Sequence, residues 1–128
     1  MLCSEILAAS LKLLGEAGGI DDNADYAERA PYIIASFIGE AIDVDKKYRL
    51  AHNIEGDADF EGVFIDLDRE FPLCERLISP CVLYLSSMLL SDESPELSED
   101  YYERYCDSIS SVCSSLPFDS QDIKNCYP

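Results

Sequence analysis

The run Asp57-x-Asp59-x-Glu61-Gly62 holds the residues of this chain best spaced for chemistry. Alternating carboxylates ahead of a glycine turn can wrap a hard cation, as in an EF-hand calcium loop. The pattern then departs from that template. The fifth position is Glu61 where Asp or Asn is usual, the ninth is Ile65, which offers no oxygen, and the last is Asp68 where a longer bidentate Glu is needed. No helix pair is evident on either side, so the run reads as a plain acidic loop.

The remaining reactive types read in the same way. His52 is the only histidine, so an imidazole-based dyad or triad would have to use it. It stands at the entrance to a polar loop with no nucleophile motif beside it, and reads as a solvated loop residue. Glu93, Glu96, Glu99, Asp100 and Glu103 fall in a turn and in the first turns of a predicted helix. Carboxylates are favoured there by the helix dipole, whereas acid–base work needs one buried beside a partner. Tyr101, Tyr102 and Tyr105 have no basic groove around them for stacking bases, and read as core-edge or protein-interface residues. Gly15, Gly18 and Gly19 follow a helix and no Lys-Ser/Thr pair follows them, so they do not form a phosphate loop. The expectation is a protein without catalytic residues, cofactor or metal.

Six cysteines raise the question of a disulfide framework. Cys74 and Cys81 are seven residues apart, as are Cys106 and Cys113, each pair on one predicted helix face. Positions seven apart on a helix are separated by about 10 Å along its axis, too far to bridge. They read as small buried hydrophobes in a reducing compartment, with a bridge between the two helices geometrically open.

Four helices account for most of the chain. Cys3, Leu7, Leu11 and Leu14 form one stripe, flanked by Leu2, Ile6, Ala9 and Leu13, predicting a helix over about 2–14 ended by Gly15. A second helix starts after Asp22 or Asn23, with Tyr26, Ala30, Ile33, Phe37, Ala41, Val44 and Tyr48 on its inner face. Pro31 predicts a kink or a break in it. Lys46, Lys47 and Arg49 suit its negative end. Periodicity fails from Ala51 to Glu70, an acidic connection with one alternating piece at Ile65–Asp68. A third helix is predicted from near Pro72 to about Leu90, with Cys74, Ile78, Cys81, Leu85 and Met88 inward and a kink at Pro80. Ser94-Pro95-Glu96 signals the start of a fourth, with Tyr102, Cys106, Ile109, Cys113 and Leu116 inward and Pro117 as its stop. The fold class expected is all-α: a four-helix, bundle-like domain over residues 1–117, with kinked helices, a long acidic loop between the second and third helices, and a C-terminal tail at 118–128.

A chain of 128 residues suits one core, and its apolar content of 48% is enough to fill it. The net charge of −17 argues against affinity for nucleic-acid phosphates or anionic lipid. No stretch reaches the length of a membrane span, and the N-terminus does not read as a signal peptide. A polar loop held on a scaffold often carries contacts, so the Ala51–Glu70 connection is the expected assembly interface, through Asp57, Asp59, Phe60, Glu61, Phe64, Asp66 and Asp68. Its removal is expected to leave the bundle folded and abolish assembly.

The order of segments carries a resemblance. ILAASLKLLGEAG is followed by YAERAPYIIASFIGEA, then FIDLDREFPL, LISPCVLYLSSMLLSDESPE and YYERYCDSISSV. Over nearly the whole chain this resembles the small head–tail connector (adaptor) proteins of tailed bacteriophages and prophages. Those have an opening helix with an L-L-G-type end, a hydrophobic-acidic-Pro entry into a tyrosine- and alanine-rich helix, an acidic turn, and a last helix with paired tyrosines, here Tyr101 and Tyr105 with Arg104. The resemblance implies an all-α subunit that joins portal to tail-completion proteins and extends the DNA channel. It also implies a ring of copies, and residence in the bacterial cytoplasm during assembly and in the virion neck afterwards. It implies no sequence-specific nucleic-acid binding and no membrane. The alternatives are a small acidic DNA-mimic inhibitor or another phage tail-assembly factor.

Overall fold

The computed structural model describes residues 1–16 and 18–116. Among the described residues there are four α-helices: α1 (Cys3–Leu13), α2 (Ala24–Ala51), α3 (Ile78–Leu90) and α4 (Pro95–Ser114). Short 3-10 turns at Ile20–Asp22 and Glu75–Leu77 precede α2 and α3. The architecture is an all-α bundle, with the long acidic connection between α2 and α3. No helix among the described residues is long and apolar enough to cross a membrane. The expected stop at Pro117 and tail at 118–128 lie outside the described residues.

α3, ISPCVLYLSSMLL, has no charged residue, and it is the helix against which all three others pack. A helix apolar on every side has to be surrounded. Phe37 of α2 is the centre of the core, with its ring 6.4 Å from Phe71, 5.8 Å from Tyr84 of α3 and 6.1 Å from Tyr105 of α4. Tyr84 and Tyr105 meet edge to face at 5.1 Å. Such pairs add about 0.5–1.5 kcal/mol each beyond the area they bury.

The helix ends follow from local chemistry. After α1, the N–H of Glu16 donates to Leu11 C=O (3.0 Å) and that of Gly15 to Lys12 C=O (3.1 Å), with Gly15 at φ +76°. This is a Schellman ending, which needs a residue that tolerates the left-handed region. Asn53, at φ +55°, does the same for α2, where Ile54 N–H donates to Arg49 C=O at 2.9 Å. Pro95 occupies the first position of α4 with Glu96 in its first turn, although the Ser94 hydroxyl makes no capping bond.

Three expectations are corrected. Of the kink or break expected at Pro31, the break does not occur: α2 runs through it as one helix, and the Pro31 C=O accepts the N–H of Ile65 at 3.2 Å. α3 begins at Ile78 instead of near Pro72, because the backbone there is committed elsewhere. Arg49 donates to Pro72 C=O (3.1 Å), and the Asp45 carboxylate accepts Cys74 N–H (2.6 Å). Pro80 therefore falls in the first turn of α3, where its missing N–H costs nothing, and the irregularity expected there appears as the change from 3-10 to α-helix at Ile78. On α4 the inner face is rotated from the expected stripe: Tyr105 and Val112 are buried, while Tyr102 and Cys106 are half-buried at its edge.

Candidate functional site

The connection between α2 and α3 is fastened at one end and open at the other. Leu2, at the start of α1, has no polar side chain to cap the helix. The strap supplies acceptors instead: Cys3 N–H donates to Arg69 C=O (3.0 Å) and Ser4 N–H to Leu67 C=O (2.9 Å), while Phe71 N–H donates to Met1 C=O (2.8 Å). The N-terminal ammonium pairs with Glu70 at 2.9 Å. Ile65 is 1% exposed, and Phe71 and Leu73 are buried in the same core cluster. The connection read as a polar loop over 51–70 therefore also supplies a core residue, Ile65. Its signal was the alternation of Ile65 and Leu67 with Asp66 and Asp68, too short to tell which side would be buried.

The residues expected at an interface sit on the outer side of this strap. Asp57, Asp59, Glu61, Asp66 and Asp68 are exposed, Phe64 is largely exposed, and Phe60 is half-buried against the core. They divide into small local groupings and do not converge on one point. The Arg69 guanidinium lies 5.4 Å from the centre of the Phe60 ring and donates to Asp59 C=O. Asp66 accepts Asp68 N–H at 3.1 Å, closing an Asx turn. Phe64 meets Tyr32 of α2 edge to face at 5.2 Å, with Val63 standing out beside it at 78% exposure. Among the described residues no group of three His, Cys, Asp or Glu side chains is placed to hold a metal ion.

Titratable groups elsewhere serve packing and helix ends. His52 stacks on Tyr48 with ring centres 4.1 Å apart, its Nδ1 3.0 Å from Tyr48 C=O, at the end of α2. Glu93 accepts the Tyr26 hydroxyl at 2.7 Å, and Arg104 pairs with Asp100 at 3.3 Å. Tyr101 donates to Leu13 C=O at 3.1 Å, tying α4 to α1. Cys3, Cys74, Cys81 and Cys106 are free thiols. Burial raises Cys3 to about 11 and Cys81 well above the ordinary range; burial and then the Asp45 charge raise Cys74 to about 11. A reactive thiol is tuned the other way. An apolar groove of 560 Å³ lined by Met1, Leu13, Ile78, Val82 and Leu83 lies between α1 and α3.

Two features escaped sequence reasoning. Tyr32 is an aromatic on the polar side of α2, one turn from Glu28, and that misplacement was its signal. Asp45 interrupts the apolar stripe between Val44 and Tyr48, with Arg49 one turn later, which marks a buried ion pair. No protein-family model, curated protein or solved structure matches the chain.

Proposed function

We propose that the chain is a non-enzymatic structural protein, a head–tail connector subunit of a tailed phage that joins portal to tail and extends the DNA channel. The observation that carries this reading is the strap: an acidic segment tipped by exposed Val63 and Phe64, fastened by backbone bonds to α1 and α2. Such a segment offers contacts on a rigid base, as an assembly part needs. The charge of −17 suits a channel wall, since carboxylates repel the phosphates passing them. The order of segments described above supplies the phage context, with portal and tail-completion proteins as partners and a ring of copies as the assembly.

Co-expression with the portal protein of the same genome tests the reading. A co-purifying complex that electron microscopy resolves as a ring on the portal is the expected result. A chain that stays monomeric in the presence of portal, or a genome with no portal gene, overturns it. A second reading, an acidic decoy for a nucleic-acid-binding protein, is favoured by the exposed row Glu96, Glu99, Glu103 and Asp107 on α4. Neighbours in that row stand about 5–6 Å apart. It calls for stoichiometric binding to a basic partner that DNA displaces.

A further inference from the structure

We propose that the Tyr32–Val63–Phe64 surface docks a cationic polypeptide segment carrying one apolar anchor. This names the partner chemistry of the strap surface and rests on that surface being the one that makes contact. Tyr32 and Phe64, 56% and 47% exposed, meet edge to face there, and Val63, 78% exposed, precedes Phe64 in the chain. The two rings are held in place before any partner arrives. Tyr32 is fixed on a long helix, and Phe64 precedes Ile65, whose side chain is buried and whose N–H is bonded to Pro31, the neighbour of Tyr32. A surface that is already ordered loses little entropy on binding.

The rim is acidic. Glu28 lies one turn before Tyr32 on the same helix face, and Glu61 and Asp66 flank the apolar pair on the strap; all three are exposed. The nearest cations in sequence are engaged. Arg29 donates to the carbonyls of Met88 and Leu89 at the end of α3, and Arg69 lies over Phe60. A second copy would bring another charge of −17 to this rim, and nucleic acid would bring phosphates. A Lys- or Arg-bearing segment meets both features: its apolar side chain enters beside Phe64 and its cations meet the carboxylates, with the open Tyr32 ring available to a guanidinium.

The chain has no tryptophan, so the fluorescence of a synthetic Lys/Leu peptide with a single Trp reports the peptide alone. Binding to the whole chain should shift the peptide emission to the blue, and amide resonances should move at Tyr32 and at residues 63–66. V63S/F64S should weaken it about tenfold. L97S, which removes an apolar side chain exposed elsewhere, should leave it unchanged. A Glu/Leu peptide should not bind. The proposal is overturned if V63S/F64S binds as well as the parent, if the shifts centre on the acidic row of α4, or if no binding occurs. Failure here is separable from failure of the connector reading. A portal complex that survives V63S/F64S removes this docking surface alone, and peptide docking without any portal complex removes the connector alone.

Discussion

The carboxylate of Asp45, which has no exposed surface, accepts the backbone N–H of Cys74 at 2.6 Å across 29 residues of chain. Its other oxygen takes Arg49 Nε at 2.8 Å, and Arg49 reaches on to Pro72 C=O. One side chain thus closes the strap and sets where α3 can begin. Asp45→Ala leaves a largely buried guanidinium and an orphaned N–H, and should cost about 3–5 kcal/mol. A fall in the urea midpoint measures it; a change within 1 kcal/mol would show the clamp to be incidental.

A second buried contact has a direction. Ser10 Oγ and Ser86 Oγ, both fully buried, are 2.7 Å apart between α1 and α3. Ser86 has one hydroxyl hydrogen and gives it to Val82 C=O at 2.9 Å, so Ser10 is the donor of the pair. Ser86→Ala strands the Ser10 hydroxyl, whereas Ser10→Ala leaves Ser86 its own donor bond. The first should cost about 1 kcal/mol more than the second, and the double variant should recover part of the loss. A larger cost for Ser10→Ala than for Ser86→Ala would reverse the assigned direction.

Helix identity was legible wherever the apolar period was local. α1, α2 and α4 announce themselves by period, by Gly15 and by Ser94-Pro95. The start of α3 was not legible, since Pro72 looks like a helix opener and only the distant Asp45 and Arg49 take its neighbours out of the helix. The same holds for the strap. Its acidic outer residues are plain in the sequence, but the burial of Ile65 goes with its backbone bond to Pro31 of α2, which the short alternation with Asp66 and Asp68 does not encode. The pairing of Tyr32 with Phe64 likewise depends on where the strap crosses α2.

Alkali should unfold this protein cooperatively. The hydrogen bond to Glu93, then burial, push Tyr26 up to about 12, and burial foremost raises Tyr84, Tyr102 and Tyr105. Unfolded thiols titrate near about 8.5 and unfolded tyrosines near about 10. The folded state holds these protons more tightly, so stability is fully present below the unfolded values and is lost as pH rises toward the folded ones. The decline should begin near about pH 9 with Cys3, Cys74 and Cys81 and steepen above about pH 10. Ionisation of Tyr26, Tyr84, Tyr102 and Tyr105, followed by their own ring resonances, should accompany the loss of helical dichroism. Tyr26→Phe should flatten the part of the fall between about pH 10 and pH 12. Ionisation of these four well before helicity falls would contradict this linkage.

The strap should divide into a part the fold requires and a part it does not. Ile65→Ala opens a cavity beside α2 and should cost about 2–4 kcal/mol, since Ile65 is as buried as the helix core. V63S/F64S, one and two residues away, removes side chains that face solvent and should stay within about 1 kcal/mol. Replacing residues 55–61 by a Gly/Ser segment of equal length should also leave a cooperative melt, at the cost of the Phe60–Arg69 contact. Removing residues 51–70 should unfold the bundle, which reverses the expectation drawn from reading them as a polar loop. The backbone donors of Cys3 and Ser4 lose their acceptors, and the core loses Ile65. If Ile65→Ala and V63S/F64S shift the urea midpoint equally, the strap is one uniform surface segment and the division is wrong.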